Sequence, residues 1–206
     1  MSDVTEVSRR GLLVRIGASV SLAAMGENVL PAQEAAHVHR AVADVKTAGQ
    51  GDYQPKALTA HEYATLRHLT GLIIPADDRS PGAIEAGAAD YIDFLCSASQ
   101  ELKEIYTGGL AWLDNAMQRR HVTDFLTATA AQQTELLDRI AYRKNASPEL
   151  NPGIAFFAWL RNMTVDAYYT TPIGVKEIGF MGNGAVAEFS VPKEAVEYAL
   201  KRSPLA

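Results

Sequence analysis

The chain has 206 residues, a net charge of −5 at pH 7, and a composition that is 48% hydrophobic and 21% charged. That is the make-up of a soluble globule with no basic field for nucleic acid. Its single cysteine, Cys96, excludes an internal disulfide, a cysteine-based zinc site and a Cys-x-x-Cys-His haem attachment.

The first element is a targeting segment. Ser8, Arg9, Arg10, Gly11, Leu12 and Leu13 stand in the order of a twin-arginine export pattern. A weakly apolar run over 16–25 follows, rich in Gly, Ala and Ser. It is shorter than the roughly 20 apolar residues that cross a bilayer, so it reads as a signal and not an anchor. The competing reading is a basic N-terminal helix that happens to contain Arg-Arg. Residues 1–32 form the expected signal, with Leu30-Pro31-Ala32 as the candidate cleavage region. The twin-arginine route carries folded cargo, so such a chain holds a cofactor or travels with a partner.

Residues 33–57 show no steady period and end in Gly49-Gln50-Gly51-Asp52-Tyr53-Gln54-Pro55, the composition of a linker. Glu34 and His37 have the spacing of half a di-iron site, but a carboxylate bundle needs a second Glu-x-x-His pair and none exists.

The domain spans 58–206. Thr59-Ala60-His61-Glu62 is a capping box, and Tyr63, Leu66, Leu69 and Ile73 recur at helical spacing until Pro75 stops the helix. Asp77 and Asp78 lie beside Pro and Gly in a stretch that reads as a tight turn whose aspartates cap the next helix. Ala88, Tyr91, Ile92 and Leu95 mark a second helix. A third runs over 99–120, with Gly108-Gly109 at a close helix approach. A second capping box, Thr129 to Gln132, opens a fourth helix, and Pro152 opens a fifth. The fifth is apolar nearly all round and is expected to be central. The glycine-rich 168–184 stretch follows a helix, which is the wrong context for a dinucleotide loop, so it reads as an ordered loop laid on the domain or on a partner. A short helix over 192–201 completes an all-α fold of five or six helices in one compact domain.

An ordered set of motifs runs through this domain. Leu58-Thr59, Tyr63, Leu66 and Ile73-Ile74-Pro75-Ala76-Asp77-Asp78 are followed by Pro81-Gly82-Ala83, Ala88 and Tyr91-Ile92. Phe157, Leu160-Arg161, Thr164, Tyr168-Tyr169-Thr170, Gly174, Gly179-Phe180 and Gly182-Asn183 close it. The set resembles the gluconate 2-dehydrogenase subunit 3 family. The resemblance implies the small, or gamma, subunit of a flavin-dependent sugar or sugar-acid dehydrogenase of the glucose–methanol–choline type. The partner subunit then carries FAD and the catalysis, and a cytochrome c subunit with haem often takes the electrons. The chain itself is implied to bind no cofactor and to have no catalytic residues. It carries the twin-arginine signal to the translocase and helps its partner mature and reach the periplasm.

Tyr168, Tyr169, Pro172, Gly174, Phe180, Gly182 and Asn183 are the candidate partner-interface residues. Cys96 stands beside Leu95 at the edge of an apolar face, so it is either a buried, inert thiol or, as the resemblance allows, half of an intersubunit disulfide. The rival from another class is an autonomous periplasmic enzyme or metal-binding bundle using His61, His68, Asp77, Asp78 or Glu85. A third reading is a carbohydrate-binding module built on the aromatics of 168–180.

Overall fold

The computed structural model describes residues 32–49, 51–180 and 191–203. Ser8, Arg9, Arg10, Leu12, Leu13, Gly182 and Asn183 lie outside them. Among the described residues the elements are α1 (Ala32–Ala48), α2 (Ala60–Ile73), α3 (Ala88–Ala98), α4 (Gln100–His121), α5 (Ala130–Ile140), a 3-10 turn (Arg143–Asn145), α6 (Asn151–Tyr169), α7 (Pro172–Glu177) and α8 (Lys193–Leu200). The fold is all-α, and none of these helices is long and apolar enough to cross a membrane.

Both capping boxes form. The Thr59 hydroxyl accepts the Glu62 amide while Glu62 accepts the Thr59 amide, and Thr129 with Gln132 does the same. Each box satisfies two of the amides that a helix start leaves without partners. Pro152 sits in the first turn of α6, where its missing N–H costs nothing. Helix α6 packs on α2, α3, α4, α5 and α7, as its apolar composition predicts.

The crossing of α4 and α6 is made by two interlocked pairs. A Cβ on Gly109 would fall 2.0 Å from the Phe156 ring, and one on Gly153 would fall 2.3 Å from the Trp112 indole. Each helix thus puts a large ring over the other's glycine.

The stretch expected to be a linker departs from that reading. Residues 32–48 form α1, and Ala35, Val38 and Val42 bury completely or nearly so on α3. Small alanines and interleaved histidines weaken the contrast between its two faces, which conceals the period. With α1 in place, α3 is enclosed on every side: all nine residues from Ala88 to Cys96 are buried. Two of those nine are aspartates, and each is fully employed. Asp93 accepts the Tyr53 hydroxyl at 2.8 Å and the amides of Lys56, Ala57 and Leu58 at 2.7, 3.1 and 2.9 Å. Asp90 accepts the Tyr63 hydroxyl and pairs with Lys46 of α1 at 2.6 Å. The segment after α1 is thereby tied to the core helix through its backbone.

Candidate partner-docking surface

The surface begins where α6 ends. Tyr168 in the last turn is fully buried, and its hydroxyl donates to the Pro81 carbonyl at 2.7 Å with Ser80 Oγ also at 2.7 Å. This joins the 74–83 loop to the end of α6. Thr171 then reverses the chain: its hydroxyl donates to the Tyr168 carbonyl at 2.6 Å and accepts the Gly174 amide at 3.2 Å, capping α7. A Cβ on Gly174 would fall 2.4 Å from the Tyr168 carbonyl, so only glycine lets α7 lie against α6.

Helix α7 closes at Gly179, whose φ of +65° is the left-handed conformation that glycine adopts freely. The result is two large apolar side chains in solvent, Ile178 at 59% exposure and Phe180 at 55%. Beside them lies a groove of about 510 Å3 lined by Asp77, Arg79, Ser80, Pro81, Ile173, Lys176 and Glu177. Apolar tips next to a rim of both charge signs are the anatomy of a protein-binding patch.

The expected interface residues therefore divide. Pro172 and Phe180 are exposed and Tyr169 is half-buried. Tyr168 and Gly174 are buried and act as the support, which corrects the expectation that they face a partner. The exposed Ile178 escaped the sequence reading. Its own exposure in the fold singles it out.

Four of the polar residues of the rival reading, His61, His68, Asp77 and Glu85, have separate duties. Asp77 Oδ1 accepts the amides of Arg79 and Ser80, both at 2.8 Å, and these bonds hold its carboxyl below the ordinary range. It closes its own turn and does not cap α3, whose N-cap is Gly87 with no side-chain cap. Glu85 accepts the Gly82 amide at 3.0 Å. His61 Nε2 meets Asp114 at 2.7 Å, and His68 Nε2 meets Gln133 Oε1 at 2.9 Å. The structure does not bring these side chains together, and among the described residues no group of three His, Cys, Asp or Glu could hold a metal.

Cys96 is 2% exposed, and burial, helped by the charge of Asp93, pushes its thiol pKa far up. A bridge to another chain would require α3 to unpack, so the geometry supports the inert, buried thiol.

The family model described as Gluconate 2-dehydrogenase subunit 3 matches residues 60–187. No curated protein and no solved structure gives a match.

Proposed function

The chain belongs to the gluconate 2-dehydrogenase subunit 3 family, and from that premise we propose that it is the non-catalytic subunit that docks on an FAD-containing dehydrogenase subunit of the glucose–methanol–choline type and escorts it through the twin-arginine translocase to the periplasm. In this reading the chemistry and the sugar or sugar acid belong to the partner, and a cytochrome c subunit completes the electron path. The observation that carries the docking role is the pair Ile178 and Phe180, held in solvent by a rigid support of buried Tyr168, Thr171 and Gly174. A support of this kind fixes the position of an apolar anchor, and anchors fixed before binding lose less entropy on association.

Co-expression tests the reading. The catalytic subunit is produced with this chain, without it, and with the Arg9→Lys/Arg10→Lys variant, and dehydrogenase activity is measured in periplasm and cytoplasm. Lysine lacks the planar fork of the paired guanidinium groups, so the variant strands both chains in the cytoplasm. An active flavoprotein in the periplasm without this chain, or substrate turnover by the purified chain alone, would sink the proposal.

A further inference from the structure

The outward face of α6 is mostly apolar and partly exposed. Phe157, Arg161, Val165 and Tyr169 recur every four residues, which stacks them on one side of the helix. Val165 is 41% exposed. Two hollows flank the row: one of about 340 Å3 beside Leu72, Leu137 and Phe157, the other of about 330 Å3 beside Val165 and Tyr169. Arg161 lines both, so they form one strip. At about 1.5 Å per residue, the row from Phe157 to Tyr169 is about 18 Å long.

Helix α8 has the complementary shape. Every residue over 191–200 is exposed, including Val196 at 42% and Leu200 at 57%. Val196, Ala199 and Leu200 share one face at the i, i+3, i+4 spacing. A free helix of fewer than about 12 residues is marginal in water, so this eight-residue element needs a surface to hold it. Its length of about 12 Å fits within the strip.

We propose that the strip on α6 is a helix-receiving groove and that α8 is its occupant. Val196, Ala199 and Leu200 enter the two hollows. Glu197, on the flank of that apolar face, meets Arg161 at the centre of the strip. The tether reaches. Helix α7 starts against the last turn of α6, where Gly174 lies on the Tyr168–Tyr169 backbone, and the step from Phe180 to Val191 spans up to about 35 Å when extended. Attachment through so short a tether gives α8 an effective concentration in the millimolar range. That advantage favours this chain's own helix over a separate helix of the same chemistry. The closed strap removes Val165 and Leu200 from water together.

The full-length chain, purified without a partner, tests this, so the outcome is independent of any dehydrogenase complex. Val165→Cys is combined with Val196→Cys under mild oxidation. Val122→Cys with Val196→Cys is the control, because Val122 is 81% exposed just past the end of α4 and lines neither hollow. The expected result is an intramolecular bond in the first pair forming at least about tenfold faster than in the control. Adding Glu197→Lys and Leu200→Asp should abolish the advantage. Equal rates, or a bond formed only between two copies, overturns the assignment. A second readout needs no cysteine. Trypsin should cut at Lys193, Lys201 and Arg202 several-fold faster in Val196→Asp/Leu200→Asp than in the unaltered chain, and unchanged cutting also overturns it.

Discussion

Four donors converge on the single carboxylate of Asp93: three consecutive backbone amides and the Tyr53 hydroxyl. Removing a buried acceptor leaves its donors desolvated and unpaired, at about 1–3 kcal/mol each. Asp93→Ala should therefore lower stability by about 3 kcal/mol or more, read as a shift in the urea midpoint. Tyr106 is the opposite case. Its hydroxyl is fully buried with no hydrogen-bond partner. Tyr106→Phe should be neutral or stabilising by up to about 1 kcal/mol, and a clear loss would mean that the hydroxyl has a partner after all. His61 brings a dependence on pH. Its hydrogen bond to Asp114 raises its pKa above the ordinary value, and the charges of Asp114, Asp124 and Glu62 act in the same direction against a weaker opposing effect of burial. Asp114 also accepts the Phe125 amide, so the pair links α2, α4 and the turn before α5. A raised folded pKa means that the pair's contribution is fully present below about pH 6.5 and is lost as pH rises through the folded value. The melting-temperature gap between the unaltered chain and His61→Gln should be wider at pH 5.5 than at pH 8.5. A gap that is constant or grows with pH refutes the assignment.

At the scale of elements, the two adjacent glycines of α4 separate backbone propensity from packing. A Cβ added at Gly108 would meet nothing within 4 Å, whereas one at Gly109 would meet the Phe156 ring at 2.0 Å. Gly108→Ala should stabilise by about 1 kcal/mol, the helix-propensity difference. Gly109→Ala gains the same propensity but must displace Phe156, and overpacking of this kind costs about 1–3 kcal/mol. Its thermal midpoint should fall while that of Gly108→Ala rises. Equal shifts would show that the two helices separate easily. The sequence made this close approach legible because paired glycines inside a long amphipathic helix have few other uses. It did not reveal which glycine makes the contact, since that depends on the facing ring. The same limit explains α1 and α3. Asp90 and Asp93 look like solvent-facing residues until Lys46, Tyr53 and the 56–58 amides are known to surround them. Reading 33–57 as a linker therefore also hid what encloses α3, because local composition does not carry the partner of a buried charge.

Across the whole molecule, the family motifs turn out to mark support more than contact. Thr59, Leu66, Tyr91, Leu160 and Thr164 cap or fill helices, and Tyr168 and Gly174 hold α7 against α6. Spacing reveals that such residues belong to one ordered array, but not which of them meets water. The expected interface residues thus mix exposed side chains with the buried ones that support them. That distinction gives the last prediction. Phe180 is half in solvent and Ile178 more so, while Tyr168 is wholly enclosed and bonded to Pro81. Truncating an exposed anchor removes little from the free chain, but an anchor that becomes buried against a partner costs about 2 kcal/mol or more when lost. The double variant Ile178→Ala/Phe180→Ala should therefore keep its melting temperature within about 2 °C and weaken binding to the catalytic subunit at least about thirtyfold. Tyr168→Ala opens a cavity in the core at about 3–5 kcal/mol and should lower the melting temperature first. Calorimetry of the free chain together with titration of the catalytic subunit separates the two. If the double variant loses melting temperature and affinity in the same proportion as Tyr168→Ala, the exposed pair is core packing and the partner docks elsewhere.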